Sequence, residues 1–186
     1  MRWALAGLIA ASSLGAFERL DPKYQVRFGE GETEAVEYFS LSCRKCLEWY
    51  QKDFEEIRKE YLDTGRLSWV FHPTPADLPT LQMMVCLDRL KPEERRAFFQ
   101  AVMESVAEHG PKESGRMMQA AMRALGHEAP ELDKVEFLSG TVPFQDALEY
   151  LKQPDVVAIV PTLEIGGEIF DCVPSKTILD EKMRKS

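Results

Sequence analysis

Apolar and polar positions follow two different periods along this chain, and each change of period marks an element. Tyr24-Gln25-Val26-Arg27-Phe28 alternates as a short strand does, and Gly29 to Glu32 reads as a turn. Ala35-Val36-Glu37-Tyr38-Phe39 is almost continuously apolar, the pattern of a central strand covered on both faces. From Cys46 onward the period lengthens. Leu47, Tyr50, Phe54, Ile57 and Tyr61 recur at alternating steps of three and four, which predicts an amphipathic helix ending near Thr64-Gly65. Leu67 to Phe71 predicts the next strand, stopped by His72-Pro73-Thr74-Pro75. Strand, helix and strand in this order form a right-handed crossover unit, whose chemistry belongs at the carboxyl end of the first strand.

Strand signals then stop until about residue 153. Helical periods predict helices over Leu78 to Leu90, Pro92 to Glu108 and Ser114 to Leu125, with shorter ones near Glu131 to Leu138 and Phe144 to Leu151. The Met-containing faces of these helices read as core packing. The β pattern returns in Pro161 to Ile165 and Glu168 to Cys172, joined by Gly166-Gly167 as a hairpin turn that needs positive φ. A last helix is expected from Ser175 to Met183, after Pro174. The reading is an α/β fold with a discontinuous domain, residues 17–77 and 153–186, and a helical subdomain over 78–152 inserted between the third strand and the C-terminal hairpin.

The first residues do not join this pattern. Met1-Arg2, the apolar run Trp3 to Ala11 and the small residues Ser12 to Ala16 have the form of a secretory signal, and the run is shorter than the roughly 20 apolar residues of a membrane span. Residues 1–16 are read as a signal peptide or, uncleaved, a short membrane anchor. Export puts the chain where disulfides can form. At 186 residues and 45% hydrophobic, the chain can bury one sizeable core. Its net charge of -8 argues against nucleic acid or an anionic membrane surface as a partner.

Candidate chemistry concentrates in Cys43-Arg44-Lys45-Cys46, where the strand-like run ends and the helix-like run opens. Two cysteines so spaced at a helix start can form a disulfide or open to a dithiol, and helix amides with nearby cations favour the thiolate of the first. Cys43 is thus the candidate nucleophile and Cys46 the resolving partner. Half of a zinc site is an alternative, but His72, His109 and His127 are scattered singly and supply no second ligand pair. A plain structural disulfide is another. Glu37, a carboxylate in an apolar strand, either is paired and has work to do or lies on an exposed face. Cys86 and Cys172 both read as small buried hydrophobes; a bridge between them would suit an exported chain, though their spacing does not bring them together.

Taken in order, Val36-Glu37-Tyr38-Phe39-Ser40-Leu41-Ser42-Cys43-Arg44-Lys45-Cys46, the helical block, and Ile159-Val160-Pro161-Thr162 before a glycine hairpin resemble the thioredoxin superfamily. The helical block makes the chain similar to its DsbA-like branch of exported thiol-disulfide oxidoreductases. That resemblance implies a thioredoxin-like fold and no cofactor beyond a redox-active Cys43-Cys46 disulfide. It also implies a cis bond before Pro161, a substrate-binding segment Val160-Pro161-Thr162 whose backbone pairs with an incoming peptide, and a buried acid, Glu37, that exchanges a proton with Cys46. The family's lysine partner for that acid has Arg66 as its nearest candidate here. Arg44-Lys45 departs from the dipeptides of strong oxidases and of reducing thioredoxins. Two cations beside Cys43 stabilise its thiolate and make the disulfide more oxidising, though they oppose the helix dipole.

The implied activity is a periplasmic exchange of disulfides with protein substrates, as an oxidase, by a monomer recharged by a membrane redox partner. A periplasmic reductase of the same fold is the alternative in the same class. A non-enzymatic module holding copper on the two thiols is the alternative in another, strengthened if His72 approaches them. A chaperone with a vestigial cysteine pair is the third.

Overall fold

Thr33–Phe39 (β2) is the strand around which the sheet is built, and its last five residues are buried because layers cover both of its faces. The structure, a computed structural model, describes residues 17–173 and 175–185; the expected leader over 1–16 and Pro174 lie outside the described residues. Five strands run in the order β1-β3-β2-β4-β5, with β1 Val26–Phe28, β3 Leu67–Pro73, β4 Thr162–Ile165 and β5 Glu168–Phe170. β3 lies parallel to β2, and every other neighbouring pair is antiparallel. Between β2 and β3 the chain is helical, as a parallel crossover requires.

That crossover keeps its expected apolar face but not a uniform helix. Arg44–Trp49 (α1) passes into a π-helical stretch, Tyr50–Phe54, then Glu55–Ile57 (α2) and a second π-helical stretch, Arg58–Leu62. Leu47, Tyr50, Phe54, Ile57 and Tyr61 are all buried along it. In the first π-helical stretch the rings of Tyr50 and Phe54 stack at 5.0 Å. β3 also runs two residues further than its sequence suggests. β1 reaches only Phe71, and Thr74 N–H bonds Phe39 O at 2.8 Å, so the donor that Pro73 lacks points away from β2, where no ladder continues.

Five helices lie between β3 and β4: Leu78–Asp88 (α3), Pro92–His109 (α4), Ser114–Ala124 (α5), Val135–Ser139 (α6) and Val142–Tyr150 (α7). The chain thus has the expected α/β architecture, a thioredoxin-like sheet with an inserted helical block, and Lys176–Lys185 (α8) follows the hairpin. The hairpin turns on Gly166 and Gly167 at φ of 58° and 76°. The main core joins Phe39, Trp69 and Phe71 of the sheet to Leu47, Tyr50 and Phe54 and to Phe98, Phe99 and Met103 of α4. On the opposite face Val36, Tyr38, Val70 and Val157 form a smaller cluster with Phe17. Among the described residues no helix is long and apolar enough to cross a membrane.

Candidate dithiol site

β2 ends at Phe39, and three residues, Ser40-Leu41-Ser42, carry the chain to Cys43, the N-cap of α1. Cys43 stands where a capping side chain stands, and its sulfur accepts a hydrogen bond from Cys46 N–H at 3.2 Å. The Cys43 thiol is half-buried and donates to the carbonyl of Val160 at 3.6 Å, whereas Cys46 is 1% exposed. One sulfur is therefore open to attack and the other sits behind it. Hydrogen bonding from the Cys46 thiol is the chief influence that lowers the Cys43 pKa, to about 6. Burial opposes it, and the amides of Cys46 and Lys45 and the Lys45 ammonium add to it. The same pairing, burial and the charges of Glu37 and Cys43 push Cys46 far above the usual thiol range.

The two cations differ. Arg44 has a side chain 89% exposed and turns to Glu48, bonding its carboxylate at 2.7 Å. Lys45 is exposed and contributes both an amide and a charge to the Cys43 thiolate.

Behind the pair lies Glu37, 1% exposed, so the exposed-face alternative for this residue does not hold. Its Oε2 accepts from Trp69 Nε1 at 3.1 Å. Burial holds its carboxyl well above the usual range, partly relieved by the indole bond and reinforced by the charge of Cys43. Arg66 does not reach it; its guanidinium lies 3.9 Å from Asp180 and over the Tyr61 ring. The reason is register: Glu37 stands opposite Phe71, and Trp69, two residues earlier on β3, shares its face, while Arg66 precedes the strand.

Val160, whose carbonyl meets Cys43 Sγ, is joined to Pro161 by a cis peptide bond; Val160 is half-buried and Ile159 beside it is 66% exposed. Thr162 is buried, paired with Tyr38, and its hydroxyl bonds Ile159 O at 2.7 Å. His72 does not approach the cysteines. It sits on the opposite face of the sheet against Tyr38, with Nε2 accepting from Leu20 N–H at 2.8 Å. Among the described residues no group of three or more His, Cys, Asp or Glu is arranged to hold a metal ion. Cys86 is buried in the core as expected, but Cys172 is exposed, following an edge strand, β5, that is itself largely exposed, and both thiols are free.

Two partners of the site escaped the sequence reading. Trp69 looked like one more apolar strand residue. Asp77 carried a legible signal as the N-cap of α3, with Pro79 in the first turn, but its second role is not local. Its carboxylate accepts from Ser40 Oγ at 2.6 Å and from Ser42 Oγ at 3.1 Å, in the loop that precedes Cys43.

With this geometry in view, comparison with known proteins gives the affiliation. Residues 23–182 match the family described as Thioredoxin. The chain belongs to the thioredoxin family. Putative protein-disulfide oxidoreductases of Rickettsia prowazekii and Rickettsia conorii are each 37% identical to it over 54 residues, 27% of this chain. The match spans only 20% of the length of these curated relatives. Among solved structures, oxidised BdbD from Bacillus subtilis superposes with a TM-score of 0.63 at 16% identity, covering 91% of this chain and 96% of that one. Wolbachia pipientis alpha-DsbA1 gives 0.63 at 16% identity over 87% and 92%. The catalytic domain of Proteus mirabilis ScsC gives 0.58 at 17% identity over 88% and 89%. At such identities the likeness is one of fold, and it extends over the sheet and the inserted helices of this thioredoxin-family chain together.

Proposed function

We propose that this thioredoxin-family protein is an exported thiol-disulfide oxidoreductase that oxidises protein substrates, with Cys43 as nucleophile and Cys46 as resolving cysteine. The observation that carries the reading is the asymmetry of the pair: Cys43 half-buried with a depressed pKa, Cys46 sealed behind it with a raised one. A substrate thiolate attacks Cys43 Sγ of the disulfide form, and the leaving Cys46 thiolate takes a proton, for which Glu37, its carboxyl pKa held well above the usual range by burial, is the adjacent source. A second substrate thiolate then displaces Cys43. The substrate leaves with a new disulfide, and the protein holds two electrons and two protons as a dithiol.

Stabilising the Cys43 thiolate stabilises that reduced form, which supports the oxidising direction. Val160, with Pro161 and Thr162, is the strand-like edge on which a substrate backbone would lie. In this reading residues 17–77 and 153–186 are the redox unit and 78–152 its helical cover, and the spent dithiol is reoxidised by a membrane partner on the far side of export. The periplasmic setting of one structural neighbour, a thioredoxin-like protein from Salmonella enterica, is consistent with that location.

Cys43→Ala is expected to abolish exchange with a scrambled or reduced protein substrate, and Cys46→Ala to accumulate mixed disulfides resolvable on a non-reducing gel. Full exchange in Cys43→Ala would sink the assignment. Equilibration of the pair in a glutathione series gives the direction: a potential near about −120 mV supports an oxidase, one near about −270 mV a reductase.

A further inference from the structure

The loop that delivers Cys43 is held from the far end of the same segment, where the chain turns into the inserted helices. Asp77, in the approach to the inserted helices, caps α3 by accepting from Thr80 N–H at 3.0 Å and from the Thr80 hydroxyl at 2.8 Å. The same carboxylate takes the hydroxyl hydrogens of Ser40 and Ser42 at 2.6 and 3.1 Å. The loop amides are drawn into the arrangement as well. Leu41 N–H donates to Thr80 Oγ1 at 2.9 Å, and Ser42 N–H to Ser40 Oγ at 3.0 Å. Ser40 then bears on both cysteines: its carbonyl accepts from Cys43 N–H at 3.1 Å, and its backbone acts to lower the raised pKa of Cys46.

A helix cap needs only one of these contacts. Two further serine hydroxyls on one carboxylate, both contributed by a three-residue loop some 37 and 35 positions upstream, serve the loop and not the helix. We propose that Asp77 is a positioning residue for disulfide exchange: through Ser40 and Ser42 it fixes the two cysteines relative to the amides that hold the attacking sulfur. The proposal rests on the redox reading of the pair. It predicts that loosening the loop lowers the reactivity of Cys43 even where the fold and the α3 cap survive.

The sign of the effect separates this from simple electrostatics. A carboxylate near a thiolate disfavours it, so removing the charge of Asp77 would by itself make Cys43 more acidic. Loss of positioning does the reverse. The test is the rate of iodoacetamide alkylation of the reduced full-length protein across pH, with thermal unfolding alongside, for wild type, Asp77→Asn, Ser40→Ala and the double variant. Asp77→Asn keeps an oxygen to cap α3, and Ser40→Ala leaves both the cap and the charge in place. In both single variants the alkylation midpoint is expected to rise, slowing the reaction near the wild-type midpoint by about threefold, with the double variant no worse than the weaker single one. Unchanged alkylation profiles with a lowered melting temperature would reduce Asp77 to a helix cap and overturn the proposal, as would a lowered midpoint in Asp77→Asn. If wild type itself shows an ordinary thiol midpoint, the redox reading fails and this inference fails with it.

Discussion

Glu37 and His72 make an instructive pair, because they are buried alike and used differently. They sit on adjacent strands one position out of register, Glu37 opposite Phe71 and His72 opposite Tyr38, so their side chains leave the sheet on opposite faces. Both are 1% exposed or less, and burial drives each toward its neutral form. Glu37 shares its face with Trp69 and feels the charge of Cys43. His72 shares its face with Tyr38 and Tyr150 and binds the backbone of Leu20. Burial and a displaced pKa therefore do not by themselves mark a proton-transfer group; what stands on the same face decides. One residue lies behind the dithiol, and the other fastens the segment that precedes the first strand.

The largest effect that separates them is on acid stability. His72 is held down to about 3, first by burial and then by the charge of Arg19, against an ordinary value of 6.5. Between those values the unfolded chain binds a proton that the folded chain does not, so stability falls as pH drops from about 6.5 toward about 3. The loss is on the order of 4 kcal/mol. Native carboxylates with lowered pKa values, such as Glu34, contribute only below about 4.5. Glu37 titrates with the opposite sign above about 4.5, so in a Glu37→Gln background the stretch from pH 6.5 to 4.5 reports His72. Urea unfolding across that range should show a steep loss in Glu37→Gln and a flat profile when His72→Phe is added to it. The variant should also be weaker at neutral pH by about 1 to 3 kcal/mol, through the orphaned Leu20 amide. Parallel profiles would place the acid sensitivity elsewhere.

Glu37 should behave in the opposite sense. Its folded pKa is raised, so the folded chain holds a proton that the unfolded chain has already lost above about 4.5, and its burial costs stability as pH rises from there. Glu37→Gln keeps an acceptor for Trp69 and removes the ionisable group. It is expected to be more stable than wild type at neutral and alkaline pH, yet to form the Cys43 mixed disulfide with a reduced substrate roughly a hundredfold more slowly, because the leaving Cys46 thiolate loses its proton source. Stopped-flow trapping of the Cys43 mixed disulfide measures the second effect. A variant that gains stability and forms the mixed disulfide at the wild-type rate would make Glu37 a buried relic and remove the contrast with His72.

These two residues also show how far the sequence could be read. The apolar run Ala35 to Phe39, the three-and-four spacing from Leu47 to Tyr61 and the glycine pair at 166 and 167 encode local periodicity, and they yielded the sheet, the crossover and the hairpin. The position of Cys43 at a helix mouth was legible for the same reason. Partners across the sheet were not, since register is set by the assembled fold: Arg66 lay nearer the expected strand end, but Trp69 shares the face of Glu37. Cys172 read as buried because the strand pattern suggested cover; β5 is an edge strand that is itself largely exposed and stops at Phe170, so Cys172 stands in the open. Asp77 announced its cap through local spacing, while its bonds to Ser40 and Ser42 bridge 37 and 35 residues that no local pattern records.

The smallest effect concerns the two cations between the cysteines, which sequence alone treats as equivalent. Arg44 is already directed at Glu48, so its charge is partly compensated where it stands. Lys45 offers the Cys43 thiolate its amide and its ammonium. Replacing Lys45 by Ala retains the amide and removes only the charge. The Cys43 midpoint should therefore rise by about a few tenths of a pH unit, less at high salt, because an exposed charge is screened. Arg44→Ala should move it less. Thiolate absorbance near 240 nm, titrated at low and high salt, resolves both changes. A larger shift in Arg44→Ala would mean that Glu48 does not hold the guanidinium in solution and that both cations tune the nucleophile. A shift in Lys45→Ala that survives high salt would mean that its ammonium lies closer to the sulfur than an exposed side chain allows.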